Sequence, residues 1–77
     1  MNIEEFVNRY AISTIINNIE VLYFTTNDIN IANKTYDEYY KYITEVYNKD
    51  NHHIIIKITD YELGTYIRKF DSIEDKT

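Results

Sequence analysis

The chain has 77 residues and a mass of 9.3 kDa, with 13 acidic against 8 basic side chains and a net charge of −5. A chain of this length forms one domain with a small core, and the lack of cysteine excludes disulfides, thiolate metal sites and thiol nucleophiles. Its single glycine excludes the glycine-rich loops that cradle phosphates.

The N-terminal segment predicts a short helix over residues 2–10. Its apolar residues recur at the spacing of one helical face, which is i, i+3, i+4 and i+7. These residues are Ile3, Phe6, Val7 and Tyr10.

Residues 11–26 fit either a continuation of this helix or a β-hairpin, and the hairpin is favoured. Strand-forming residues dominate the segment, and Asn17-Asn18 can supply the two positive φ angles of a tight turn. A two-residue turn there would give three pairs on one apolar face, namely Ile16 with Ile19, Thr14 with Val21, and Ile12 with Tyr23.

After a polar connection over residues 27–34, a second helix is predicted from Thr35 to about Asn48. Thr35 and Glu38 fit a capping box, in which each side chain bonds to the other's backbone N–H. One broad face of this helix would be apolar, with Tyr36, Tyr39, Tyr40, Ile43, Val46 and Tyr47. The opposite face would carry Asp37, Glu38, Lys41 and Glu45.

The segment from His52 to Thr59 gives the clearest strand pattern in the chain. Ile54, Ile56 and Ile58 alternate with other residues, and Ile55 on the second face indicates a central strand that is partly covered on both sides.

Residues 60–70 are ambiguous. They fit either a strand that follows a turn at Gly64 or a helix with a stripe of apolar residues, and the helix is slightly favoured.

These elements predict an α+β fold, a small antiparallel sheet of three or four strands with two or three helices packed on one face. We expect a single domain over residues 1–70, followed by an acidic flexible tail over residues 71–77. No apolar run approaches the about 18 residues that a membrane span needs, and the acidic N-terminus is unlike a secretory signal. A cytoplasmic protein is therefore expected.

The sequence contains no recognisable catalytic motif. His52 and His53 are adjacent, so on a strand they would point to opposite faces, which is poor geometry for one metal ion. No carboxylate has an apolar setting that would raise its pKa for acid–base catalysis. The acidic balance also argues against direct nucleic-acid binding, which needs a basic footprint. We therefore expect no enzyme activity, no cofactor and no metal.

The strongest anomaly is the nine tyrosines. A domain of this size cannot bury nine phenols with every hydroxyl satisfied, so several are expected on the surface, where tyrosine favours protein–protein contacts. Phenols set among carboxylates suit a partner surface that is basic and partly apolar. The predicted partner-binding residues are Asp37, Glu38, Tyr42, Glu45, Asp60, Tyr61 and Glu62.

Basic protein surfaces are mostly nucleic-acid-binding sites, which a small acidic domain can occlude. The sequence therefore predicts a non-enzymatic inhibitor of a larger protein, such as a nucleic-acid enzyme or nucleoprotein complex. Phage-type inhibitors, including anti-CRISPR and DNA-mimic proteins, form a class with this chemistry, and they would act in the host cytoplasm. The alternative is a small homo-oligomerising structural or regulatory domain that buries its tyrosines across a two-fold axis.

Overall fold

The computed structural model describes residues 8–48 and 50–74 of the chain. They form two strands, β1 (Tyr10–Ile16) and β2 (Ile19–Thr26), then one helix, α1 (Ile29–Val46), then two more strands, β3 (Ile54–Asp60) and β4 (Thr65–Asp71). The strands make one antiparallel sheet in the order β2-β1-β3-β4, so β2 and β4 are its edges. α1 packs on one face of this sheet against β1, β2 and β3.

The predicted hairpin of β1 and β2 is confirmed, with its turn at Asn17-Asn18. The two asparagines have φ angles of 51° and 73°, as a two-residue hairpin turn requires. The pairs nearest the turn follow the predicted register. Farther along, a β-bulge leaves Tyr23 without a partner on β1, so Ile12 pairs with Phe24 instead of with Tyr23.

α1 starts earlier than the sequence predicted. Its N-cap is Asp28, whose carboxylate accepts hydrogen bonds from the backbone N–H groups two and three residues farther on. The predicted capping box at Thr35 is therefore wrong, because Thr35 lies inside the helix. The polar segment before Thr35 has few apolar residues, but an N-cap aspartate is enough to begin a helix there.

The prediction of two or three helices is wrong, since the described residues contain one helix and are mostly sheet. A helix was predicted over residues 2–10, but Tyr10 is the first residue of the strand β1. Residues 2–7 of this prediction lie outside the described residues. The helix favoured for residues 60–70 is replaced by β4. Gly64, with a φ of 76°, donates its backbone N–H to the Asp60 carbonyl oxygen and closes a tight turn after β3.

The core lies between α1 and the two central strands. The prediction of a central strand is confirmed, because β3 runs between β1 and β4. Side chains alternate between the two faces of β3, which directs three fully buried isoleucines toward the helix. Together with residues of β1 and α1 they form the hydrophobic core, whose buried residues are Tyr10, Ile12, Ala32, Tyr36, Ile43, Ile54, Ile56 and Ile58. The Tyr36 hydroxyl is satisfied in this core, because it donates to the Ile56 carbonyl oxygen at 3.3 Å.

The sheet reaches into the segment that the sequence assigned to an acidic tail from residue 71. Asp71 is the last residue of β4, and Ser72 is buried. The Ser72 hydroxyl accepts a hydrogen bond from the Ile54 backbone N–H at 2.9 Å. Residues 75–77 of the predicted tail lie outside the described residues.

Candidate protein-binding site

β2 is an edge strand whose first six residues are all exposed. Five of them are apolar or aromatic and more than a third exposed: Ile19, Val21, Leu22, Tyr23 and Phe24. The one charged residue among the six is Glu20, whose carboxylate lies 3.5 Å from Lys57 Nζ. Edge strands with so much apolar surface are sites where another chain can pair with the sheet.

The geometry of the turn identifies the free backbone groups of β2. In a two-residue hairpin the residues next to the turn form a hydrogen-bonded pair, and such pairs alternate with non-hydrogen-bonded pairs along the strands. Glu20 and Leu22 lie at the non-hydrogen-bonded positions. Their N–H and C=O groups therefore point away from β1, toward the open edge of the sheet.

A groove of about 480 Å³ lies between the hairpin and the C-terminal half of α1. Its hairpin side is formed by Thr14, Ile16, Asn17, Ile19 and Val21, and its helix side by Tyr39, Tyr42, Ile43, Val46 and Tyr47. Thr14 is 1% exposed, and its hydroxyl has no hydrogen-bond partner among the described residues. The mostly apolar groove thus includes a residue with a buried, unsatisfied polar atom, which is costly in a folded protein.

Three tyrosine rings stack from β2 to the outer side of α1. The ring centroids of Tyr23 and Tyr39 are 3.8 Å apart with an interplanar angle of 8°. Those of Tyr39 and Tyr42 are 6.3 Å apart at 19°. Tyr42 is 58% exposed at the outer end of this stack, so the helix side of the groove ends in an accessible aromatic ring.

The structure groups three of the predicted contact residues beside this groove. Glu38 and Glu45 lie four residues before and three residues after Tyr42, and at these spacings helical side chains are neighbours. Both glutamates are exposed, and neither makes an ion pair within the part of the chain that the structure describes. Asp37 lies on the other side of the helix, where its carboxylate pairs with Arg68 of β4.

The other three predicted residues lie at the opposite end of the sheet. Asp60 ends β3 opposite Tyr10, the first residue of β1, whereas the groove adjoins the hairpin turn at the far end of β1. Tyr61 and Glu62 follow in the turn, and both are exposed. The predicted residues therefore form two separate groups of three, with Asp37 apart from both, and not one surface.

Asp60 is a structural residue. Its buried carboxylate is held by the Arg9 guanidinium, with Nε at 3.0 Å from Oδ1 and Nη2 at 3.0 Å from Oδ2. This hydrogen-bonded pair holds the pKa of Asp60 below its usual value, an effect that burial opposes and the backbone N–H groups of Leu63 and Glu62 reinforce. Asp60 therefore fixes the turn between β3 and β4 and is not free to contact a partner.

Asp71 has a similar role at the other end of the sheet. Burial disfavours the charge of Asp71, but hydrogen bonds from the Ile73 backbone N–H and the His53 ring prevail and lower its pKa. The His53 Nε2 atom lies 3.0 Å from Asp71 Oδ1, whereas the His52 ring packs edge-on against Tyr47. The described residues contain no cluster of three or more side chains that could ligate a metal ion.

The acidic residues do not form one continuous acidic face. Half of the ten described carboxylates pair with lysine or arginine inside the chain, and these are Glu20, Asp37, Asp60, Glu62 and Glu74. The free negative charges beside the groove are those of Glu38 and Glu45. The groove itself was missed by sequence reasoning, which placed most of its residues on apolar faces and only Tyr42 among the predicted partner contacts. The sequence did contain one indication of an exposed apolar surface, because the β2 segment is apolar on both faces. Only the strand order of the folded sheet shows that β2 is an edge strand.

Comparison of the chain with protein-family models, with curated proteins and with solved structures gives no match. No helix in the described part of the chain has the length and apolar character needed to cross a membrane. The function of the surface therefore has to be inferred from its own shape, polarity and charge.

Proposed function

We propose that the protein is a non-enzymatic binding protein that covers a basic, partly apolar surface of a larger protein. The observation that carries this proposal is the exposed β2 edge together with the adjoining groove. We call this the β2–α1 surface, and define it by Ile19, Val21 and Tyr23 of β2 with Tyr39, Tyr42 and Val46 of α1. Exposed apolar side chains that cluster beside a groove mark interaction sites, because folding would otherwise bury them.

The composition of the β2–α1 surface suits a protein partner. Tyrosines such as Tyr23 and Tyr42 offer a large contact area and lose little entropy when they are fixed. The groove can receive an apolar side chain, and the open edge of β2 can pair with an extended segment. Glu38 and Glu45 give this surface a negative rim, which favours a partner with cations around an apolar centre.

Surfaces that combine basic and apolar groups are typical of nucleic-acid-binding sites on proteins. A chain with a net charge of −5 would be steered to such a site, and its bound form would exclude the nucleic acid. The activity that we propose is therefore inhibition by occlusion, as in phage-type inhibitors of nucleic-acid enzymes.

Affinity capture from a lysate of the native host tests this proposal. We expect the chain to retain a protein that binds DNA or RNA, with retention that falls as salt is raised. Val46→Lys, which places a positive charge beside the groove, should abolish retention. Leu63→Lys is the matched control, because Leu63 is also more than half exposed but lies in the turn at the opposite end of the sheet.

The captured protein then allows a direct measurement of occlusion. Adding the purified chain should release a labelled oligonucleotide from that protein, and Val46→Lys should release much less. Equal retention by the Val46→Lys and Leu63→Lys variants would contradict the assigned surface. A captured protein that keeps its oligonucleotide would contradict inhibition by occlusion.

The exposed β2 edge also supports a second candidate, a homo-oligomer. The free backbone groups of Glu20 and Leu22 could pair with the same strand of a second copy around a two-fold axis. This arrangement would extend the sheet and bring the tyrosines of two copies together, and its salt dependence would differ from that of a complex with a basic partner.

A further inference from the structure

Arg68 is held by a tyrosine ring together with a carboxylate. Its guanidinium carbon lies 4.1 Å from the centroid of the Tyr36 ring, and its Nη2 atom pairs with Asp37 of the same helix. Its Nη1 atom also donates to Asn33 Oδ1 at 3.2 Å. A ring face and a carboxylate therefore act together on one planar cation, combining cation–π attraction with a charge-assisted hydrogen bond.

Arg9, the other arginine of the chain, is held in the same way. Its guanidinium carbon lies 5.1 Å from the centroid of the Tyr10 ring. Its nitrogen atoms pair with Asp60 and Glu62, each at 3.0 Å. Both arginines thus show that a tyrosine with adjacent carboxylates is an arginine-binding arrangement in this molecule.

Tyr42 is a third tyrosine with neighbouring carboxylates, which helical spacing places beside it. Its exposed ring lies between Glu38 and Glu45 on the surface of α1. Within residues 8–48 and 50–74, no cation lies over this ring, and neither glutamate pairs with Lys34 or Lys41. Tyr42 also lines the mostly apolar groove of about 480 Å³, in which the buried Thr14 hydroxyl has no hydrogen-bond partner among the described residues.

We propose that Tyr42, Glu38 and Glu45 bind an arginine side chain of the partner protein. The guanidinium stacks on the Tyr42 ring and donates hydrogen bonds to the two carboxylates, while an adjacent apolar side chain of the partner enters the groove. Arginine suits this site better than lysine because its planar group can stack on a ring and donate to two acceptors at once. This inference rests on the proposed function, since it names the side chain by which the partner is recognised.

Titration with two small probes, N-acetyl-arginine amide and N-acetyl-lysine amide, tests the site without knowledge of the partner. In ¹H–¹⁵N NMR spectra the arginine probe should shift the signals of residues 38–45, with a Kd about two- to five-fold lower than that of the lysine probe. Tyr42→Leu should remove this preference. Glu38→Gln and Glu45→Gln should each weaken binding of the arginine probe and reduce its dependence on salt.

Tyr61→Leu is the matched control for the loss of a tyrosine. Tyr61 is also about half exposed beside two carboxylates, but Arg9 already occupies both of these. The variant should therefore keep the full preference for the arginine probe. Equal affinities for the two probes, a preference that survives Tyr42→Leu, or no saturable shift up to about 0.1 M probe would each overturn the arginine site.

The two experiments distinguish failure of the arginine site from failure of the proposed function. If lysate capture depends on Val46 but the probes show no preference for arginine, the binding function stands and the arginine site is refuted. If the probes bind as expected but Val46→Lys captures as much as Leu63→Lys, Tyr42 and its glutamates bind arginine, but the proposed surface for the partner and the role of this site in recognising the partner are refuted.

Discussion

At the scale of one residue, Thr14 distinguishes the groove from a hydrophobic core, because its buried hydroxyl has no hydrogen-bond partner among the described residues. A valine would fill the same space without a hydroxyl that lacks a partner. We expect Thr14→Val to raise the free energy of unfolding by about 1 kcal/mol, because it removes a buried unsatisfied group. Urea denaturation measures this change.

Thr44→Val provides the control for this substitution. The Thr44 hydroxyl donates to the Tyr40 carbonyl oxygen at 2.8 Å, so its loss should not raise the stability. If Thr14→Val destabilises the protein as much as Thr44→Val does, the Thr14 hydroxyl is satisfied in solution and the groove has no unpaired polar atom.

Asp60 makes the stability of the fold depend on pH. Its pKa in the folded chain lies below that in the unfolded chain, because Arg9 donates hydrogen bonds to the carboxylate. Its stabilising contribution is therefore complete above about pH 4 and is lost as the pH falls through the folded-state pKa. Asp60→Asn should lower the urea midpoint at neutral pH and reduce the further loss of stability on acidification.

Asp71, whose pKa is also lowered, still titrates in this variant, so the acid sensitivity should shrink without disappearing. Glu62→Gln is the control, because Glu62 also pairs with Arg9 but is exposed and should contribute less. A variant Asp60→Asn that loses as much stability in acid as the natural chain would contradict this account.

At the scale of the elements, the conformation of Gly64 explains why residues 60–70 form a turn and the strand β4 instead of the helix that the sequence favoured. Its φ of 76° is strained for other residues, and an added Cβ would have no atom within 4 Å. Gly64→Ala should therefore cost about 1 kcal/mol through backbone strain alone, with no gain of helical circular dichroism. Leu63→Ala, in the same turn, should change the stability by less than about 0.5 kcal/mol. Increased helicity in Gly64→Ala would contradict this role.

The elements that the sequence predicted well are those with local signals. The hairpin has a turn pair with positive φ, and β3 alternates strictly. β4 could not be separated from a helix, because the spacing of its apolar residues fits both and the decisive pairing with β3 is not visible in the local pattern. The start of α1 was misplaced because the capping pattern at Thr35 was taken as the helix start, whereas the Asp28 carboxylate accepts hydrogen bonds from the backbone N–H groups of Asn30 and Ile31 and begins the helix seven residues earlier.

The candidate site was predictable to a similar degree. Helical spacing alone placed Glu38, Tyr42 and Glu45 together, and the structure keeps them together beside the groove. The prediction for Asp60 overlooked its partner Arg9, which is 51 residues away in sequence and close only after folding. The groove also depends on the strand order, because β2 is exposed only as the edge strand.

At the scale of the whole molecule, two features have opposite effects on self-association: the exposed β2 edge favours it, and the net negative charge disfavours it. The exposed β2 strand favours pairing with a second copy, but each copy carries a net charge of −5 and free glutamates beside the groove. The bulge at Tyr23 also interrupts the regular edge that strand pairing needs. These features favour a monomer at low ionic strength and leave the surface open for a partner of opposite charge.

Sedimentation velocity at low and high salt tests this balance. We expect a monomer at low salt and more self-association at high salt, because screening removes the repulsion between copies. A complex with a basic partner should respond in the opposite way and weaken as salt is raised. Leu22→Lys should suppress self-association by charging the β2 edge, whereas Leu63→Lys should suppress it less. A dimer that already exists at low salt and is lost in Leu22→Lys would instead favour the homo-oligomer, because β2 would then be occupied by a second copy.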